Sequence, residues 1–319
     1  MPKARHPRRG SMQFWPRKRA KHLLARVRSW ADKKDAKPLG FIAYKAGMTH
    51  LQVNDNRTKS TTAGEKIFMP ATIIECPPMT LVGILFYKQT ADGWKKLSQI
   101  SAEKQDKYLS RLISLPKKSK KIEDITEFDD IRVLVHSNPS KTSIGTKKPR
   151  IIEVALGGSK DEKLAYAKEN LGKDIAVEDV FGPGNYVDVH GISKGKGFQG
   201  TVKRYGVPIR QHKSEKVKRG IGNLGAWTPK RVDYRVPQAG KMGYHLRTEY
   251  NKQVIKMGTD GKEIAQKGGI TKYGEVKTSY LLIKGSVIGP RKRAVFLTQA
   301  IRQDPKAVKE APKVVYIAQ

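Results

Sequence analysis

Cysteine is almost absent from this chain of 319 residues: Cys76 stands alone. One thiol cannot build an intrachain disulfide framework or a cysteine-based zinc site, so Cys76 reads as a small core residue. Long apolar runs are missing too. The longest, Leu81 to Tyr87, falls far short of the ~20 residues a membrane-spanning helix needs. The opening MPKARHPRRG has no apolar stretch behind its basic residues and does not read as a secretory signal. Neither end carries a lipidation motif. The seven histidines show no HxxxH or Cys/His ligand spacing, so no metal site is expected.

Acids are scarce as well: 29 Asp and Glu stand against 64 Lys and Arg, a formal charge of +35. A compact state carrying that excess repels itself unless a polyanion lies close by. Hydrophobic residues make up 38% of the chain, enough for a real core. Composition alone therefore points to a soluble, intracellular, nucleic-acid-associated protein. No cofactor, small-molecule substrate or membrane partner is expected.

The charge is unevenly placed. Residues 1–38 hold 13 Lys or Arg against Asp32 and Asp35, and residues 194–256 hold 16 against Glu215, Asp233 and Glu249. Residues 100–180 are nearly balanced, with 16 basic and 14 acidic residues. Two segments thus look built to face phosphate, and one to face water or protein. Phe14, Trp15 and Trp30 lie among the first cations, where aromatic faces can stack on bases or ribose. Pro2, Pro7 and Pro16 favour an extended arm; Leu23, Leu24, Val27 and Trp30 have the spacing of a short helical stripe.

The patterning predicts a mainly β protein with an α+β insertion. FIAYKAGMTHLQV (41–53) reads as a strand broken at Gly47, and ATIIECPPMTLVGILFYK (71–88) as two strands divided by Pro77 and Pro78. NYVDVHGI (185–192), TVKRYGV (201–207), TSYLLIKGSVIG (278–289) and RAVFLTQAI (293–301) read as further strands. Asp92-Gly93 and Thr259-Asp260-Gly261 are hairpin signals. Short strands with Gly turns favour a closed β-barrel over a doubly wound sheet. Within the insertion, Ser101 is placed to cap a helix over 102–115 and Ser159 one over 161–172; IRVLVHS (131–137) and IIEVALGG (151–158) read as strands. The expected division is an arm over 1–38, a barrel from 39–94, 176–207 and 241–301, the insertion 95–175, a central loop 208–240 and a tail 302–319.

Gly195-Lys-Gly-Phe-Gln-Gly200 is a literal G-x-G-x-x-G. The dinucleotide form needs a helix directly after the glycines and an acid about 20 residues on. Here TVKRYGVPIR follows, β-branched and then Pro-broken, and position 220 is Gly. The physical reading is a bare backbone strip flanked by Lys194, Lys196, Lys203 and Arg204, suited to a phosphodiester chain.

The run FGPGNYVDVHGISKGKGFQGTVKR (181–204) resembles the signature of the universal large-subunit ribosomal protein three family. Phe181, Asp188, Gly191, Ser193, Gly195-Lys196-Gly197, Gly200 and Arg204 stand at its fixed positions. GFIAYKAGMTH (40–50), IGNLGAWTP (221–229), GYHLRTEYNK (243–252), RHPRRGSMQFWPRKRA (5–20) and KGSVIGPRKR (284–293) are similar to the archaeal and eukaryotic branch. Overall length and the short tail after 301 favour the archaeal side. The resemblance implies a translation-protein-type closed β-barrel. From it a basic N-terminal arm and a long central loop run into ribosomal RNA near the 3′ end of the large-subunit molecule. It also implies a role early in assembly, neighbouring ribosomal proteins as partners, and a loop tip near the peptidyl-transferase centre. Trp227 matches the tip tryptophan, and His245 matches the family's histidine in GYHLRT.

The candidate RNA contacts are Arg8, Arg9, Trp15, Arg17, Lys18 and Arg19 in the arm, and Lys194, Lys196, Lys203 and Arg204 around the glycines. In and after the loop they are Arg210, His212, Lys218, Arg219, Trp227, Arg231, Lys241, His245 and Arg247. For His245 an RNA contact and a local bond are both open. His50, His136 and His190 lie in apolar contexts and read as structural. An RNA-modifying enzyme with basic tails is the competing class. The acids concentrate away from the basic segments, and no paired-carboxylate, nucleophile or metal motif accompanies them. Asp233 or Glu249 would be its base, but a solitary acid among cations more often pairs with one. A DNA-compacting protein is the third class.

Overall fold

The computed structural model describes residues 8–116, 122–123, 125, 127–214 and 216–318. The first seven residues of the expected arm, 117–121 of the insertion, and Glu215 lie outside them. In chain order the strands and helices are β1 (Gly40–Asn54), β2 (Lys66–Glu75), β3 (Met79–Thr90), β4 (Gly93–Ser101), β5 (Asp130–Ser137), β6 (Ile151–Ala155), α1 (Lys160–Glu169), β7 (Asp174–Ile175), β8 (Tyr186–Ile192), β9 (Phe198–Gln199), α2 (Thr201–Tyr205), β10 (Gly240–Lys241), β11 (Leu246–Gly258), β12 (Tyr280–Lys284), β13 (Ala294–Gln299) and β14 (Val314–Ile317). The protein is mainly β. The chain divides into two compact units, one of Met1–His22 with Ile192–Leu246, the other of Leu23–Gly191 with Arg247–Gln319.

The larger unit contains two sheets. In the first the strand order is β13-β8-β11-β12-β2-β1-β14, and β13 also pairs with β1, so six strands follow one another in a ring. β1 is bent to serve both neighbours. Its first half pairs with β13, its second with β14, and its register to β2 shifts between Lys45 and Gly47. A Cβ at Gly47 would lie 2.7 Å from Ile270 Cγ2, so the bulge needs glycine. Pro77 and Pro78 break the ladder after β2, and the chain leaves for the second sheet, β4-β3-β5-β6 with β7 on β3. The Asp92-Gly93 turn joins β3 to β4, with Gly93 at φ +111°.

The core spans both sheets: Phe41, Ile74, Leu81, Phe86, Val133, Val189, Leu281 and Phe296 belong to one buried cluster. Segment 23–30 forms no helix. Leu24, Val27 and Trp30 instead pack extended against that cluster, Trp30 edge-on to Phe296 at 6.0 Å. A large apolar ring gains more from burial than from solvent, which removes Trp30 from the RNA-facing aromatics.

Two buried polar side chains tie strands and turns of the larger unit together. Asp188 accepts from the backbone N–H of Asn251 (2.8 Å) and Ile301 (3.1 Å), holding Asn251 at φ +55°. His190 bridges Thr248 and Thr298 through its two ring nitrogens (2.9 and 3.1 Å). Both are structural, as is His136 beside the Ser137 carbonyl. His50 differs: it is exposed, tilted against the exposed Phe68 at 6.1 Å.

Several local expectations were overturned. Ser101 starts no α-helix. A single 3-10 turn, Lys107–Arg111, is capped by Asp106, because β4 continues through Ser101. Thr259-Asp260-Gly261 makes a 3-10 turn capped by Asp260, not a hairpin. TVKRYGV is the short helix α2 rather than a strand, ended by Gly206 at φ +72°. α1 starts at Ser159 as its pattern predicts, with a capping box closed by Glu162; such caps contribute ~1 kcal/mol.

Candidate nucleic-acid interface

The smaller unit is built almost without apolar burial. Ile192 is its one buried apolar side chain among the described residues, and none of them is a member of either hydrophobic cluster. Its sequence holds 21 Lys and Arg against two acids, Glu215 and Asp233. Backbone hydrogen bonds and side-chain staples hold it. β9 pairs with β10, Phe198 opposite Lys241 and Gln199 opposite Gly240. Lys196 N–H donates to the Met242 carbonyl and Met242 N–H to that of Gly197, both at 2.9 Å. Gly243, at φ +76°, lies so close that a Cβ there would stand 2.0 Å from the Lys194 carbonyl oxygen. Arg204 clamps the other end, donating from Nε to the Lys241 carbonyl (3.0 Å) and from Nη1 to that of Gln238 (2.9 Å).

The N-terminal segment is tied to the same frame. Ala20 N–H donates to the Tyr244 carbonyl at 2.8 Å. Arg17 reaches the Arg204 carbonyl (3.0 Å) with its guanidinium 4.2 Å from the centre of the Tyr205 ring. Arg8 donates to the Arg235 carbonyl at 2.7 Å. Trp15 meets Tyr234 edge-on at 5.5 Å. His245 uses both ring nitrogens inside the unit: Nδ1 donates to the Lys18 carbonyl (2.8 Å) and Nε2 accepts from Gly243 N–H (3.2 Å). The local bond left open by the sequence is therefore present.

These contacts sort the candidate cations. Arg8, Arg17 and Arg204 serve the unit's own structure. Arg9, Lys18, Arg19, Lys194, Lys196, Lys203, Lys218, Arg219 and Lys241 are exposed, and their side chains make no hydrogen bond or ion pair among the described residues. Arg210 lies with its guanidinium over Gly222, and its backbone N–H bonds to the Lys218 carbonyl at 3.1 Å. His212 and Arg231 are exposed. Arg247 belongs to the larger unit and is half-buried. Trp227 is 83% exposed, on a turn where Lys230 N–H returns to its carbonyl (2.9 Å). Two further exposed rings, Phe198 at 74% and Tyr234 at 64%, were not among the sequence candidates. The available signal is an aromatic residue inside a basic, Gly-punctuated stretch, which a reading of the strip's glycines and flanking cations passes over.

The two acids that the competing reading would use as a base are both paired. Asp233 accepts from Arg235 N, Nε and Nη2 (2.7, 2.9 and 2.9 Å), and these bonds hold its carboxyl down at about 2. Glu249 pairs with Lys252 at 3.3 Å. A helix does follow the Gly195–Gly200 strip, contrary to the strand expected there. It spans only Thr201–Tyr205, and position 220 remains Gly. The described residues contain no group of three or more His, Cys, Asp or Glu placed to hold a metal. No helix among them is long and apolar enough to cross a membrane.

The smaller unit is poor in acids and rich in exposed cations and rings, and the larger is a mainly β unit with a buried core. The comparisons supply the family. The sequence pattern of the family described as "Ribosomal protein L3" matches residues 1–317. The chain is 44% identical to the "Large ribosomal subunit protein uL3" of Methanococcus aeolicus over 99% of its own length and 97% of the relative's. It is 45% identical to the protein of that name in Methanocaldococcus jannaschii (98% and 96% covered) and 43% to that in Methanobrevibacter smithii (98% and 96%). The chain belongs to the ribosomal protein L3 family, a structural family and not one of enzymes.

Proposed function

We propose that this chain is a structural constituent of the large ribosomal subunit that binds large-subunit ribosomal RNA through its smaller unit. The carrying observation is that unit's composition and build: 21 cations against two acids, exposed aromatic rings, and no member in either hydrophobic cluster. Phosphates neutralise such a surface, and exposed rings give bases a stacking face. Family membership supports the ribosomal setting and names of relatives support the large subunit. Neighbouring ribosomal proteins are the further partners, and the insertion, most of which lies in the nearly balanced stretch 100–180, is the part offered to them.

The finer reading follows the family resemblance. The six-strand ring is the translation-type barrel, supported by the β13–β1 pairing that brings the strand order back on itself. Residues 1–22 of the expected arm and the loop 208–240 are the extensions into RNA near its 3′ end, engaged early in assembly, while 23–38 stay with the larger unit. Trp227, fully displayed on its turn, stands at the tip directed toward the peptidyl-transferase centre. The test is sucrose-gradient sedimentation of host lysate before and after a high-salt wash. Retention in the large-subunit peak is expected. Release into the light fractions would mark a peripheral RNA- or DNA-binding factor and overturn the reading.

A further inference from the structure

We infer that Phe198 is a platform on which one unpaired RNA base stacks, with the Lys241 ammonium beside it to take a flanking phosphate. The inference rests on the RNA-binding reading above and adds a site and a mode of recognition to it.

Phe198 is 74% exposed on a two-residue strand, where an apolar ring has no structural task. Its register partner is Lys241, exposed and with no side-chain partner among the described residues. Lys194 and Lys196, just before it, are in the same condition. The glycines around the ring supply the second observation. Gly197 needs to be glycine for its own φ of +67°. Gly200 does not: its φ is −69° and ψ 168°, open to any residue, and a Cβ there would meet nothing within 4 Å. Gly195 has no left-handed φ either, and its Cβ would make only ordinary contact with Tyr244, at 3.7 Å. Among the described residues neither a steric clash nor the backbone angle excludes a side chain at either position, and the bare strip leaves room for a partner backbone within contact distance.

The partner's chemistry follows. The ring is bordered by cations, and the unit's one described acid, Asp233, is already held by Arg235. A phosphate alone has no use for a phenyl face. A nucleobase does, and it must be unpaired, because bases inside an A-form helix are already stacked on both sides. The sugar-phosphate chain would then cross the bare Gly195–Gly200 backbone toward Lys241.

The experiment is filter binding of the full chain to deproteinised large-subunit ribosomal RNA across a series of monovalent salt concentrations. Phe198→Ala is expected to weaken binding about 5- to 150-fold. Its log–log salt slope should match the wild type, since no counterion-releasing contact is lost. Phe198→Trp should retain affinity. Phe198→Leu, which keeps apolar bulk without a π-face, should behave like Phe198→Ala. Gly195→Ala should weaken binding without lowering the thermal transition of the free chain. Wild-type affinity in Phe198→Ala, or in Phe198→Leu, overturns the stacking site; the Leu and Trp variants decide the question even if the Ala variant folds poorly. A wild-type chain that does not bind this RNA would instead sink the proposed function itself.

Discussion

Lys203 and Arg204 are adjacent cations on α2, alike in sequence and different in the structure, and substituting each separates two kinds of contribution to RNA binding. Lys203 is exposed with no side-chain partner among the described residues. Lys203→Ala should remove one phosphate contact, lowering the log–log salt slope by about 0.7–0.9. Its affinity extrapolated to 1 M salt should stay at the wild-type value. Arg204 spends two of its donors on the carbonyls of Lys241 and Gln238 (3.0 and 2.9 Å). Its guanidinium also lies 5.0 Å from the Tyr205 ring centre. Hydrogen bonds from charged donors contribute ~1.5–3 kcal/mol when sheltered; half-exposed ones are discounted to roughly 1 kcal/mol each. Arg204→Ala therefore loosens the frame by about 2 kcal/mol, which ordering on RNA must restore, a loss of roughly 30-fold in affinity. That loss should persist in the high-salt extrapolation with the slope nearly unchanged. Equal behaviour of the two variants, or a pure slope change in Arg204→Ala, would refute the division of the cations into structural and phosphate-facing groups.

Glu75 is fully buried at the end of β2 and accepts from the Tyr273 hydroxyl, the N–H groups of Lys277 and Thr278 (2.7 and 3.1 Å) and the Thr278 hydroxyl (3.2 Å). Glu75→Ala strands these donors and should cost about 3–5 kcal/mol, a fall of roughly 6–20 °C in the calorimetric midpoint. Glu75→Gln, which keeps the shape, should cost about 1–2 kcal/mol, and a midpoint unchanged in Glu75→Ala would show that the carboxylate does not anchor segment 273–278. His190 is held neutral because burial, outweighing the nearby Asp188 charge, lowers its pKa. The unfolded chain then binds the extra proton first, so this contribution is whole above the ordinary histidine value and is lost as pH falls below about 6.5. Thermal scans from pH 7.5 to 5 should show a steeper loss in the wild type than in His190→Gln; parallel curves would remove His190 as the source.

Much of the larger unit was legible in sequence. Alternation gave β8, β-branched and aromatic runs gave β12 and β13, the first apolar run gave β1, the proline pair gave the break after β2, and Asp92-Gly93 gave its hairpin. The misreadings share a cause. Residues 102–115 have helical spacing and 201–207 are β-branched, but each short stretch took the form its neighbours allowed. β4 ran through Ser101, and Gly200 and Gly206 delimited one turn of helix. Local propensity differences are tenths of a kcal/mol per residue, less than one tertiary contact supplies.

For the candidate interface, the sequence by itself determined the sign, the density and the two locations of the charge, because net charge is additive and needs no coordinates. It also determined the family, through fixed residues across 181–204. Only the tertiary structure decided what each side chain is used for. Trp30 and Trp227 both stand near cations in the sequence, yet one packs on Phe296 and the other projects from a turn. Arg204 and Lys203 differ by which carbonyls lie within 3.0 Å, and those carbonyls belong to residues more than thirty positions away. Exposure and hydrogen-bond geometry are properties of such long-range approach, and no local pattern encodes them.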